Sequence, residues 1–320
     1  MIRVYRTSCN AWEPSVVAAA DWTLPVDGLW IDLVEPTPDE DQAVERAVGL
    51  SIPTRAEMAE LEASSRLYRE NGATFVTADI IRNGDDDIPT IDPVTFVITA
   101  GPLVTIRYFE PKPFAMLQDK LQRDPALCVT GADMFLHLME AVIDRVSDIL
   151  ARNAARVEEV SGHVFSSRKA VGFEQLITRL GQANIANARI EQSLAGLARI
   201  FAFVGIDERI AGAPDARAHL KSLSRDAESL LAHSQAVAAS INFQLSAALG
   251  LINIEQSSII KIFSVAAVAF MPPTLIASIY GMNFRHMPEL PEVWGYPAAL
   301  VAMAVAAVLP LLWFKKKGWL

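Results

Sequence analysis

The chain has 320 residues, a formal net charge of −9 and 52% hydrophobic residues beside 20% charged ones. A pI near 5.1 and a positive mean hydropathy exclude a basic nucleic-acid binder and describe a chain that is polar over most of its length and very apolar in a few places. The apolar excess is gathered near the C-terminus.

The first residues, "MIRVYRTSCNAWEP", lack the apolar core and small-residue cleavage site of a secretory signal. The expectation is that the roughly 255 residues before the first long apolar run stay in the cytoplasm. Cys9 and Cys128 stand far apart without ligand-like spacing, so they read as reduced thiols. Residues 1–130 alternate between strand and helix patterns. "LWIDLVEP" (29–36) predicts a buried strand, and "TPDEDQAVERAV" (37–48) predicts a helix entered through a Thr or Asp cap. "ATFVTADII", "TFVITA" and "LVTIRYF" predict further strands, separated by the turn signals "NGDDD" and "GP". The expected result is an α+β cytoplasmic domain, an α/β/α sandwich.

Beyond Ala132 the pattern is helical. "MFLHLMEAVIDRVSDILARNAARVEEV" predicts one long amphipathic helix, and "GFEQLITRLGQANIANARIEQSLAGLARIFAFVG" a second, broken by "GAP" at 212–214. A third begins near Asp215 and meets no proline until Pro272. Leu220, Leu223, Ala227, Leu230, Ser234, Val237, Ile241, Leu245, Ala248 and Ile252 recur along it at three-four spacing. The same stripe continues through Ile260, Phe263, Ala267, Met271, Thr274 and Ser278. As one helix this is about 65 residues and roughly 100 Å long. For the upper part, the stripe can pack on the two preceding helices or on a shared axis. In the lower part a shared axis is expected. Domains are expected at 1–130 (α/β), 131–258 (helical hairpin and stalk) and 259–320 (transmembrane).

Two runs near the end, 259–280 and 296–314, are uncharged apart from Lys261. Each is long enough for a bilayer core, which needs about 20 apolar residues as helix. Lys261 and the "KKK" of 315–317 flank the runs, whereas the connection carries Arg285 against Glu289 and Glu292. The positive-inside bias places both termini in the cytoplasm and the 281–295 loop outside. Trp294, Tyr296, Trp313 and Trp319 fall where interfacial aromatics belong. Pro272 and Pro273 predict a bend just above Met271.

Between the runs stands "SIYGMNFRHMPEL" (278–290). Neither run carries the carboxylates that would be needed to strip the waters from a strongly hydrated divalent cation. A ring of amide and carbonyl oxygens can instead accept hydrogen bonds from the ion's waters. Asn283 supplies the amide, and Gly281 allows the backbone to turn. A plain helix C-cap is the alternative role for these two residues. Phe263 and Met271 could close such a path as apolar rings, or simply pack.

"YGMN" (280–283) after "MPPTLIASI", then "MPEL" and "GYP" (295–297), closely resemble the CorA family of magnesium channels. "WIDLVEP" (30–36), "EMAELEASSR" (57–66) and "GLINIEQSSIIKIFSV" (250–265) extend the resemblance over most of the chain. It implies a homopentameric funnel in the cell inner membrane that passes hydrated Mg²⁺, and also Co²⁺ and Ni²⁺. Gly281, Met282 and Asn283 would form its selectivity loop, and Ile260, Phe263, Ala267, Met271, Thr274 and Ser278 its lining. Regulatory Mg²⁺ in this family binds acidic residues between cytoplasmic domains, which makes Asp226, Glu228, Asp85, Asp86 and Asp87 candidates; a solvated face and a turn are the alternative. The chain departs from the family pattern at Arg285, His286 and Glu292. A zinc transporter of the same frame is the nearest rival, kept open by His286 and opposed by MPEL. A membrane-tethered sensor or enzyme is the other. No Walker loop, dinucleotide fingerprint or GxSxG occurs, and the five histidines show no paired ligand spacing, so neither an enzyme nor an organic cofactor is expected.

Overall fold

Thr37 opens the first helix with a full capping box: its side chain accepts from the Glu40 N–H while the Glu40 carboxylate accepts from the Thr37 N–H. In the computed structural model the described residues are 1–6, 11–14, 21–60, 62–124, 126–165, 172–283, 287–288 and 292–319. They fold as two compact units, Met1–Leu245 and Ser246–Leu320.

The first unit begins with β1 (Ile2–Arg6), β2 (Ala11–Pro14), β3 (Gly28–Val34), α1 (Pro38–Val48) and the short helices α2 (Arg55–Met58) and α3 (Ala63–Arg66). There follow β4 (Leu67–Glu70), β5 (Ala73–Arg82), β6 (Thr90–Ile98) and β7 (Leu103–Arg107). The sheet order is β2-β1-β3-β7-β6-β5-β4; β3 and β7 run parallel and the other pairs antiparallel. β6 starts five residues before the expected run. Pro93 argues against a central strand, but the part of β6 that pairs on both sides is Thr95–Ile98, and Pro93 lies where β6 pairs only with β5.

Both sheet faces are covered, which is why β3, β5 and β7 read as near-continuous apolar runs. Ile31, Leu33, Phe75, Val97, Val104 and Ile106 point to one face and pack with Ala43 and Val44 of α1 and with Met58. The opposite face carries Trp30 and Phe96, which meet Phe114 of α4 (Lys112–Arg123) and Phe135 of α5 (Gly131–Phe165). The layers are helix, sheet and helix, as expected. Next come α6 (Phe173–Val204), the one-turn α7 (Glu208–Ala211) and α8 (Pro214–Tyr280). Cys128 is a free, buried thiol, pushed up to about 12 by burial and by Asp133, Asp124 and Glu140; Cys9 lies outside the described residues.

Inside the sheet Asp32 and Arg107 form a fully buried pair. Arg107 Nη2 donates to Asp32 Oδ2 at 2.7 Å and Nε to Oδ1 at 3.0 Å. Trp30 Nε1 donates to Thr105 Oγ1, which donates to Asp32 Oδ1 at 2.7 Å. Every charge here has several partners, the condition under which a buried pair is tolerated. Arg66 holds Asp79 of β5 through both guanidinium ends, and Gln192 and Ser193 of α6 bond the same residue. The segments "WIDLVEP" and "EMAELEASSR" thus each contribute an ion pair to the sheet, the first fully buried and the second partly so.

The second unit contains the C-terminal part of α8 and α9 (Gly295–Lys316). Both helices are long and apolar enough to cross a membrane, and their most apolar windows are 11% and 6% buried.

Candidate ion pathway

α8 is a single 67-residue helix, yet its three-four stripe has two different environments. Leu220, Leu223, Ala227, Ser234, Val237 and Ile241 are buried. Asn187 of α6 donates to the Ser234 carbonyl at 3.0 Å, and the His219 ring lies 4.8 Å from that of His137 on α5. This part of the stripe is a seam within one chain, so periodicity from Leu220 to Ile241 gives no reason for axial partners.

The lower stripe is different. Ile260, Phe263 and Met271 are 56%, 72% and 69% exposed, and Ala267, Thr274 and Ser278 are exposed too. Val265 and Ala269 are the buried positions of this stretch. At about 100° per residue the two faces point in nearly opposite directions. A row of exposed apolar side chains this long needs lipid or another protein to cover it.

Pro272 and Pro273 lie inside α8, and the helix continues through them to Tyr280. Each removes an N–H from the ladder. Beside them Thr274 Oγ1 donates to the Phe270 carbonyl at 2.8 Å. With its proton spent on its own helix, the Thr274 hydroxyl presents lone pairs outward. At the helix end, the Gly281 N–H donates to the Ala277 carbonyl at 2.9 Å and the Met282 N–H to that of Ile279 at 3.2 Å. A Cβ on Gly281 would stand 3.1 Å from the Ala277 oxygen, so a side chain would crowd this turn. Met282 and Asn283 are exposed just beyond, at the negative end of the helix dipole. Glu292 is exposed, whereas Arg285, His286 and Glu289 lie outside the described residues.

The acidic candidates separate as well. Gly84 lets the 83–87 turn lie against α5, where a Cβ would collide with Ile149. Asp85 is claimed by Lys112, by Arg145 at 2.7 Å and by Arg152 at 2.5 Å, which hold its carboxyl well below the usual range. Asp87 pairs with Arg156 at 3.1 Å. In this chain Asp85 is an ion-pair hub between a turn and two helices. Asp86 is exposed in the same turn, and Asp226 and Glu228 are exposed on α8. The structure also unites His137, Glu140 and His219, whose ligand atoms all lie within 4.8 Å of one another. Sequence spacing does not reveal this group, because its members come from α5 and the distant start of α8.

The profile of the family described as "CorA-like Mg2+ transporter protein" matches residues 27–316. The chain belongs to this family. It is 34% identical over 292 residues to a magnesium transport protein CorA from Pectobacterium atrosepticum, covering 91% of this chain and 92% of that one. It is 33% identical over 295 residues to the protein of the same name from Salmonella typhimurium, covering 92% and 93%. In structure it is similar to the complete CorA magnesium transporter of Methanocaldococcus jannaschii, with a TM-score of 0.79 over 100% of this chain and 98% of that one at 18% identity. The CorA family is one of transporters rather than of enzymes. The match covers the N-terminal sheet, the long helices and both apolar helices, so the resemblance seen in the GMN loop extends through the fold.

Proposed function

We propose that this protein is a Mg²⁺ uptake channel of the inner membrane, a homopentamer with both termini in the cytoplasm. The observation that carries the reading is the exposed face of α8 from Ile260 to Ser278, ending at Gly281, Met282 and Asn283. Five copies of that face enclose an axis and remove its apolar side chains from lipid. The axis then offers the Thr274 and Ser278 oxygens, with apolar rings at Phe263 and Met271 available to close it by dewetting. At the outer mouth, five Asn283 amides accept hydrogen bonds from the ion's own waters, while five helix C-termini supply partial negative charge. Neither interaction strips the hydration shell, which suits an ion that releases water reluctantly. Co²⁺ and Ni²⁺ follow Mg²⁺ on the same path as hydrated dications. The membrane potential drives all three inward, at about 2.3 kcal/mol per charge per 100 mV.

Regulation belongs to the same proposal. Cytoplasmic Mg²⁺ bridges exposed carboxylates of neighbouring copies, with Asp226 and Glu228 preferred over the already paired Asp85 and Asp87. The deciding experiment is metal uptake in cells starved of Mg²⁺, comparing the parent with Asn283→Ala. Mg²⁺ uptake by the parent and its loss in Asn283→Ala, with the oligomer intact, is the expected result. Uptake that survives the substitution reduces Asn283 to a helix cap, and uptake of Zn²⁺ in place of Mg²⁺ establishes the zinc reading.

A further inference from the structure

We infer that His137, Glu140 and His219 form a binding site for a transition-metal dication of the Zn²⁺ type, fastening α5 to α8. His137 and Glu140 are three residues apart and share a face of α5; His137 Nδ1 stands 3.1 Å from Glu140 Oε2. α8 adds His219, its ring 4.8 Å from that of His137, and the three ligand atoms all lie within 4.8 Å of one another. Around a tetrahedral ion with bonds of about 2.0–2.2 Å, ligand atoms stand about 3.4 Å apart. One pair, at 3.1 Å, is already close to that separation, and side-chain rotation brings in the third. All three residues are half-buried, which leaves a side open for a water as fourth ligand.

The donor set selects the ion. Two imidazoles and one carboxylate suit Zn²⁺, Co²⁺ or Ni²⁺, whereas Mg²⁺ prefers oxygen alone and keeps its waters. The surroundings carry both signs of charge. Lys120 is 3.5 Å from Glu140 and 3.8 Å from Asp144. Asp144 is raised by burial; Lys120 opposes this, and the carboxylates of Glu140, Asp148 and Asp226 add to it. A metal takes Glu140 from Lys120 and leaves Lys120 with Asp144.

The inference stands apart from transport, because binding is measured without a gradient. The full chain is solubilised in mild detergent, freed of metal with a chelator and titrated with Zn²⁺ against a chromophoric chelator in excess Mg²⁺. We expect one Zn²⁺ per chain whose affinity falls at least about tenfold in His137→Ala and in His219→Ala, since even outer-shell losses cost roughly 10–100-fold. His233→Ala, on the exposed side of α8, leaves it unchanged. Glu140→Gln keeps the side chain's shape and also weakens binding, and circular dichroism checks that each variant is folded. Equal Zn²⁺ affinity in parent and folded His219→Ala, or displacement of the Zn²⁺ by millimolar Mg²⁺, overturns the assignment.

Discussion

At Asp207 the balance between burial and pairing can be followed through a single titration. Burial alone would raise this carboxyl, but the Arg209 guanidinium, at 2.6 and 2.8 Å, and the Thr74 hydroxyl outweigh it and bring it down to about 2. The folded value is below the ordinary 3.8, so the charged group stabilises the fold above that pH. The contribution disappears as pH falls through about 2. Asp207→Asn is expected to cost about 1–2 kcal/mol at neutral pH, after discounting for solvent, and the difference from the parent should shrink below about pH 4. Denaturant titrations at several pH values measure this. A cost that stays constant with pH assigns the effect to shape instead of charge. The Asp32–Arg107 pair acts more strongly: Arg107→Met leaves a buried carboxylate without its counter-charge, an expected loss of about 3–5 kcal/mol, measurable by the same titration.

On the scale of the element, α8 carries two contrasting predictions on one helix. Ile241 is 2% exposed and Phe263 is 72% exposed. Ile241→Ser removes a packed side chain and buries a hydroxyl, with an expected cost of about 3 kcal/mol. Phe263→Ser should leave unfolding of the sheet-containing unit within about 0.5 kcal/mol of the parent while changing Mg²⁺ uptake. Trp30, buried in that unit, is a fluorescent reporter for the unfolding measurement. A Phe263→Ser variant that unfolds the unit as readily as Ile241→Ser would show that both stretches of the stripe do the same job.

For the whole molecule, the question is what covers the apolar helices. One chain of 34.9 kDa leaves α9 and the lower face of α8 bare, and the pentamer proposal predicts a particle of five chains in mild detergent. Mass measurement tests this, and a clean monomer or dimer removes the axial path. Arg285 bears on the same assembly, since five guanidinium groups at one mouth would repel cations over about 10 Å in 0.1 M salt. We expect Arg285→Glu to leave uptake nearly unchanged at two ionic strengths. A gain at low salt that shrinks at high salt would instead place the ring on the ion's path.

The sequence by itself determined what depends on local chemistry or on length. The Thr37 cap, the apolar runs of the buried strands, two apolar runs long enough for a bilayer and the GMN turn between them could all be read from neighbouring residues, because hydrogen bonds within one helical turn and the thickness of a membrane act at short range. Tertiary structure alone decided which partner each periodic face meets. The stripe from Leu220 to Ile241 and the stripe from Ile260 to Ser278 have the same spacing, yet one is covered by its own chain and the other is exposed. Asp85 reads as part of an acidic turn until Lys112, Arg145 and Arg152 arrive from two other helices. His137 and His219 show no ligand spacing until α5 and α8 lie side by side. Periodicity states that a face must be covered or a charge answered; the partner is fixed by long-range packing, which no local pattern encodes.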